Sequence, residues 1–210
     1  MPRPPAIHFT YQHVFESGTD PAAPPLLLLH GTGGSEHDLL RVGRAISPGS
    51  ALLSPRGDVS EGGALRFFAR LAEGVFDPQE ITRRTHALGD FVTAAAAHYK
   101  LDARRLIAVG FSNGANIAAT LLLLRPETLG GGILLRSMVV LDQPAAPGSL
   151  SGKRVLLANG SMDPLVPPDH PERLARLLRA GGAEVQVNLI AASHGLTPQD
   201  VAAAQAWLQG

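Results

Sequence analysis

A mostly parallel, doubly wound α/β sheet of about seven strands, with helices on both faces, is the fold this sequence predicts. Three observations predict it. Apolar runs such as Leu26-Leu27-Leu28-Leu29 have strand length but no alternation, the pattern of strands covered on both faces in a parallel sheet. These runs alternate along the chain with segments of helical periodicity. Glycine-rich turns follow two of the runs directly, His30-Gly31-Thr32-Gly33-Gly34 and Gly110-Phe111-Ser112-Asn113-Gly114. In such sheets the chemistry lies beyond the carboxyl ends of the strands. At 210 residues the chain is expected to form one domain, residues 1–210, large enough to bury roughly 70% of its unfolded surface.

Taken in order, Ile7 to Phe15 alternates well enough for an edge strand, and Ser17 to Pro21 turns it back. Leu26 to Leu29 is the first interior strand. Further runs are Ala51 to Leu53, Leu106 to Val109, Ile133 to Leu141, Val155 to Ala158 and Val185 to Ile190. Helical patterns lie between them: Glu36 to Ile46, Leu65 to Val75, Ile81 to Tyr99, Ala115 to Leu124, Pro171 to Ala180 and Pro198 to Leu208.

Composition excludes several classes of function. There are no cysteines, so disulfides, thiolate metal sites and a cysteine nucleophile are impossible. Lys plus Arg balances Asp plus Glu at 18 each, and the basic residues are scattered, which leaves no footprint for nucleic acid or an anionic membrane. No apolar run reaches the roughly eighteen residues of a membrane span, and no signal peptide is evident. The expectation is a cytoplasmic protein without stable membrane association that acts on a small molecule.

The pentad from Gly110 to Gly114, set between an apolar run and an apolar helical segment, fits a nucleophile elbow. A sharp turn there would expose the Ser112 hydroxyl above the sheet. Alone the pentad is weak in a chain with 23 glycines, so its companions matter. The turn from His30 to Gly34 can present backbone N–H groups to a developing oxyanion, and the amides of Thr32 and Asn113 are the expected pair. It lacks both the Rossmann glycine spacing and the Walker lysine. Past the run Val155 to Ala158, Asp163 is placed to accept from a histidine Nδ1; Asp142, after the preceding run, is the runner-up. Of eight histidines, only His194 follows the last strand, and Gly195 would allow a tight turn aiming its imidazole at Ser112. Serine, aspartate and histidine in that chain order match the α/β-hydrolase fold. His30 and His37 flank the oxyanion turn and are expected to support it. No close pair of ligands such as H-x-x-x-H points to a metal.

On these residues the chain resembles the carboxylesterase, lysophospholipase and acyl-protein thioesterase family of α/β hydrolases, and most closely its bacterial hydroquinone-linked carboxylesterase branch. The likeness runs through Leu28 to Gly34, Ser54-Pro55-Arg56-Gly57, Arg66-Phe67-Phe68, Gly110 to Gly114, Asp163-Pro164-Leu165-Val166-Pro167 and Ser193-His194-Gly195. The resemblance implies a serine esterase with Ser112 as nucleophile, Asp163 as acid and His194 as base. It implies no cofactor, a small ester as substrate, and a monomer or homodimer. Thr32 and Asn113 stand where the thioesterases usually carry Leu and Gln, which argues against long-chain lipid or protein-thioester specificity. A lysophospholipase, an acyl-thioesterase and a non-catalytic binding protein are the alternatives.

The segment from Asp58 to Glu80 is expected to choose the substrate. Its Phe67, Phe68 and Phe76, with Leu165 and Val166 beyond the acid, are the candidate pocket residues. A compact, uncharged ester of about four to six acyl carbons is the expected substrate.

Overall fold

The structure, a computed structural model, describes residues 9–210. Ile7 and His8, the first positions of the predicted edge strand, lie outside the described residues, and the strand itself begins only at His13 and runs to Glu16. The strands are β1 (His13–Glu16), β2 (Leu26–Leu29), β3 (Leu52–Pro55), β4 (Val59–Glu61), β5 (Ala64–Arg66), β6 (Ile107–Phe111), β7 (Gly131–Leu135), β8 (Arg154–Gly160) and β9 (Glu184–Ile190). The α-helices are α1 (Leu40–Ile46), α2 (Pro78–Tyr99), α3 (Asn113–Leu124), α4 (His170–Ala180) and α5 (Pro198–Gln209).

Seven strands form one sheet in the order β1-β3-β2-β6-β7-β8-β9. Only β1 runs antiparallel within it. The leucines of β2 are fully buried because the sheet is covered twice. Leu27 and Leu29 face a core shared with α2, α3 and α4, whereas Leu28 and Leu26 face a second core built with α1 and α5. This is the physical content of an apolar run without alternation. At about 25 cal/mol per Å², each fully buried leucine contributes roughly 2 kcal/mol to this sandwich of layers.

Two predicted elements are corrected. The helical pattern from Leu65 to Val75 is not a helix: β4 and β5 pair as a hairpin, turning at Gly62 and Gly63 with φ of 57° and 90°. The chain then runs irregularly to α2. Leu65, Phe67 and Phe68 are spaced as a helix would space them, yet consecutive glycines that favour positive φ close a two-residue hairpin turn. The run Ile133 to Leu141 is a strand only as far as Leu135. Arg136 adopts φ of 59°, which breaks the ladder, and Met138 to Leu141 are buried as loop against the core rather than by pairing. Both corrected stretches cover the carboxyl end of the sheet, where the site lies.

Candidate active site

At the end of β6 the backbone reverses sharply into α3, and Ser112 sits in the turn with φ 52° and ψ −116°. A non-glycine residue is held there at a cost of order 1–3 kcal/mol, so the surroundings must enforce it. They do so by close approach. A Cβ on Gly114 would lie 1.9 Å from the Leu29 carbonyl oxygen, and one on Gly110 would lie 2.5 Å from the Gly114 oxygen. Only glycine lets β2, β6 and α3 meet this closely.

The turn aims Ser112 Oγ at His194, whose Nε2 is 2.9 Å away, and His194 Nδ1 is 2.8 Å from Asp163 Oδ2. With its hydrogen on Nδ1, His194 donates to Asp163 and leaves Nε2 to accept from the serine hydroxyl. The Asp163 side chain is 1% exposed. Its other oxygen accepts from the Leu165 amide at 2.9 Å, which ties the acid to its own loop. Asp142 lies elsewhere, exposed and paired with Arg173 at 3.1 Å.

Thr32 and Asn113 line the same cavity as Ser112 and His194. Neither backbone N–H has a hydrogen-bond partner among the described residues. The Asn113 amide is one of the free donors of a helix N-terminus, favourably placed for negative charge. The turn from His30 to Gly34 is held from both sides. Gly33 N–H donates to the Leu65 oxygen of the hairpin at 2.8 Å. Buried His30 accepts from the Gly57 amide at Nε2 (2.9 Å), so its Nδ1 carries the hydrogen that goes to the Gly31 oxygen (2.7 Å). Burial pushes the His30 pKa down, in keeping with a neutral ring. His37, exposed, reaches Glu36 at 3.4 Å. Buried Glu36 in turn receives a bidentate guanidinium from Arg56.

The pocket residues divide. Phe76 and Leu165 line the cavity of about 340 Å³ in front of Ser112. Phe67, Phe68 and Val166 do not line it: they are buried in the core, at 1%, 0% and 7% exposure. Their apolar area is worth more against the sheet than against a water-filled opening. Phe68 still supports the wall, edge-on to Phe76 with ring centres 5.6 Å apart. The Phe67 amide donates to Asn113 Oδ1 at 2.8 Å, so the covering segment is fastened to the elbow itself.

The role expected of Gly195 belongs to another residue. Gly195 has no positive φ, and a Cβ there would touch nothing. The loop is held instead by Arg136, fully buried just past β7. Its Nε donates to the Ser193 oxygen (3.0 Å) and its Nη2 to the Gly195 oxygen (2.9 Å), bracketing His194 on both sides. The remaining donors go to Ala158 O and, bidentately, to buried Asp200 at 2.6 and 2.9 Å. Asp200 also completes the capping box of α5 through Thr197. Sequence reasoning missed this pair. The available signal was a lone arginine inside an apolar run, which a buried position obliges to find a carboxylate.

Among the described residues no group of His, Asp and Glu is arranged to hold a metal ion, and no helix is long and apolar enough to cross a membrane.

The model of the phospholipase/carboxylesterase family matches residues 11–210. The Bacillus subtilis protein MhqD is 44% identical over 196 residues, covering 93% of this chain and 96% of its own. Among solved structures, the Bacillus cereus carboxylesterase is 40% identical, with a TM-score of 0.91 over 95% of this chain and 94% of that one. The structure of YahD with malic acid is 32% identical, with a TM-score of 0.88 over 95% and 98%.

Proposed function

Since the chain belongs to the phospholipase/carboxylesterase family of α/β hydrolases, we propose that it hydrolyses small carboxylic esters as one α/β-hydrolase domain. Ser112 is the nucleophile, His194 the general base and acid, and Asp163 the group that orients the imidazole. The observation that carries this reading is the unbroken chain Ser112 Oγ, His194 Nε2, His194 Nδ1, Asp163 Oδ2 in front of two amides that have no hydrogen-bond partner among the described residues.

His194 takes the Ser112 proton as Oγ attacks the ester carbonyl, and Asp163 stabilises the imidazolium that forms. The Thr32 and Asn113 amides hold the tetrahedral oxyanion; one such donor is worth about 10²–10³ in kcat. His194 then gives its proton to the departing alcohol. A water, deprotonated by the same histidine, resolves the acyl-enzyme. A cavity of about 340 Å³ suits a short acyl fragment, and YahD is solved with malic acid, an acid of that size.

Hydrolysis of p-nitrophenyl acetate tests the reading. Ser112→Ala is expected to lower kcat by at least about 10³-fold with no change in circular dichroism or melting temperature. Near-native turnover in the folded variant would reject Ser112 as nucleophile. Strong cleavage of lysophosphatidylcholine, or acyl preference rising through about ten carbons, would move the substrate to a membrane lipid.

A further inference from the structure

The cavity wall facing Ser112 holds a cation that the ester-hydrolase reading leaves without a task. Arg66, at the end of β5, is 4% exposed yet lines the cavity. Its Nε donates to the Phe68 oxygen at 3.1 Å and its Nη1 to Thr32 Oγ1 at 2.8 Å. Its Nη2 has no hydrogen-bond partner among the described residues and is not among the polar atoms sealed from solvent. The neighbouring carboxylate does not complete it. Glu61 Oε2 lies 3.5 Å from Arg66 Nε and forms no hydrogen bond there, while Glu61 Oε1 accepts from Arg70 at 2.8 Å.

Two further groups share this wall. Asn116, on the first turn of α3, lines the same cavity and uses Oδ1 to accept from the Met138 amide at 2.8 Å, while its Nδ2 has no hydrogen-bond partner among the described residues. Arg70 adds a second guanidinium, although Glu61 and Glu73 already engage it. Glu73 also reaches the cavity, but its side chain is 63% exposed and bound to Arg70. A buried guanidinium with spare donors is costly unless something completes it. The planar fork of an arginine is matched by a carboxylate.

Resting on the ester-hydrolase reading above, we propose that Arg66 and Asn116 form a carboxylate-binding subsite, and that the preferred substrate is a short ester carrying a free carboxylate near the scissile carbonyl. Arg66 touches the side chain of Thr32, whose amide belongs to the oxyanion pair. The carboxylate therefore sits within a few bonds of the reacting carbon, as in a monoester of a short dicarboxylic acid. Water cleaves the ester bond to give the dicarboxylic acid and the alcohol, with one proton released at neutral pH.

The test compares monomethyl succinate with methyl 4-methylpentanoate, in which an isopropyl group replaces the carboxylate, by proton release. The wild-type protein is expected to prefer the charged ester by at least about tenfold in kcat/KM, mainly through KM. In Arg66→Met that ratio should fall to about one, with Arg66→Lys between the two, since it keeps the charge and loses the fork. A second arm needs neither activity nor an Arg66 variant: calorimetric titration of succinate and of succinamide into Ser112→Ala. Succinate is expected to bind at least about tenfold more tightly than the neutral diamide. Equal binding, or no charge preference in a protein that still cleaves p-nitrophenyl acetate, overturns the subsite and leaves the esterase reading standing. Selective succinate binding without any ester cleavage supports the subsite and removes the esterase reading.

Discussion

Two buried arginines lie on either side of Ser112, and their donors are used in opposite ways. On the acid and base side, Arg136 is fully buried, and each of its five N–H donors meets a carbonyl or Asp200. On the covering side, Arg66 is almost as buried, but it keeps donors free on a cavity wall. A saturated guanidinium can only hold structure, and here it holds the loop that carries His194. An unsaturated one is available to a ligand. On the proposed reading the same residue type positions the chemistry on one side and selects the substrate on the other, so substitutions on the two sides should separate into effects on kcat and on KM.

The largest effect belongs to the acid. Asp163→Asn is expected to lower kcat by a factor on the order of 10⁴ with little change in KM, because the amide favours the wrong imidazole tautomer. Asp142→Asn, at an exposed carboxylate paired with Arg173, should leave steady-state kinetics within about twofold of wild type. The reverse result would move the acid to the β7 end and break the comparison.

Next comes Arg136→Met. Removing one partner of a buried pair leaves Asp200 uncompensated and should cost about 3–5 kcal/mol in denaturant unfolding. Displacement of the His194 loop should lower kcat on the order of 10²-fold. The double variant Arg136→Met, Asp200→Leu separates these effects. Stability should largely return, while kcat stays low because the Ser193 and Gly195 carbonyls have lost their donor. Recovery of kcat together with stability would reduce Arg136 to a structural role.

How far these regions were legible in the sequence follows the same division. Ser112, Asp163 and His194 follow strand ends; for β6 and β8 burial on both faces makes the apolar run plain in the sequence, whereas β9 is an edge strand, half-buried and alternating with polar residues, still regular enough to read. The covering side offered no such frame. Leu65, Phe67, Phe68 and Leu71 fit helical spacing, and only Gly62-Gly63 hinted at the hairpin that the structure contains. That misreading hid Arg66, whose approach to Thr32 depends on the hairpin, and it drew Phe67 and Phe68 toward a pocket they do not reach. A balanced charge total likewise carries no information about a local donor such as that of Arg66. Gly195 drew attention because it is glycine, whereas the group that holds the carbonyls on either side of His194 is Arg136, 57 residues before Ser193.

Smaller effects are expected on the covering side. Phe76→Ala and Leu165→Ala enlarge a cavity that both residues line. They should lower kcat/KM for p-nitrophenyl butyrate several-fold, chiefly through KM, and shift the acyl optimum toward longer chains. A fall confined to kcat would place them with the acid and base instead.

The smallest effect is a slope in stability with pH. Burial depresses the His30 pKa below its ordinary 6.5, so the neutral ring stabilises the fold fully above that value. The contribution is lost as pH falls below 6.5 through the depressed folded value, because the unfolded chain then binds the proton first. Urea unfolding followed from pH 7.5 to 5 should show this loss, and His30→Gln should flatten it. An unchanged slope would detach His30 from the support of the oxyanion turn.

Every step of the proposed reaction starts from the Ser112 hydroxyl. Intact-mass and peptide mass spectrometry after treatment with a fluorophosphonate is the most direct measurement. A single adduct on Ser112, absent in Ser112→Ala, is the expected result. An adduct on another residue, or none in a protein that still hydrolyses p-nitrophenyl acetate, would contradict it.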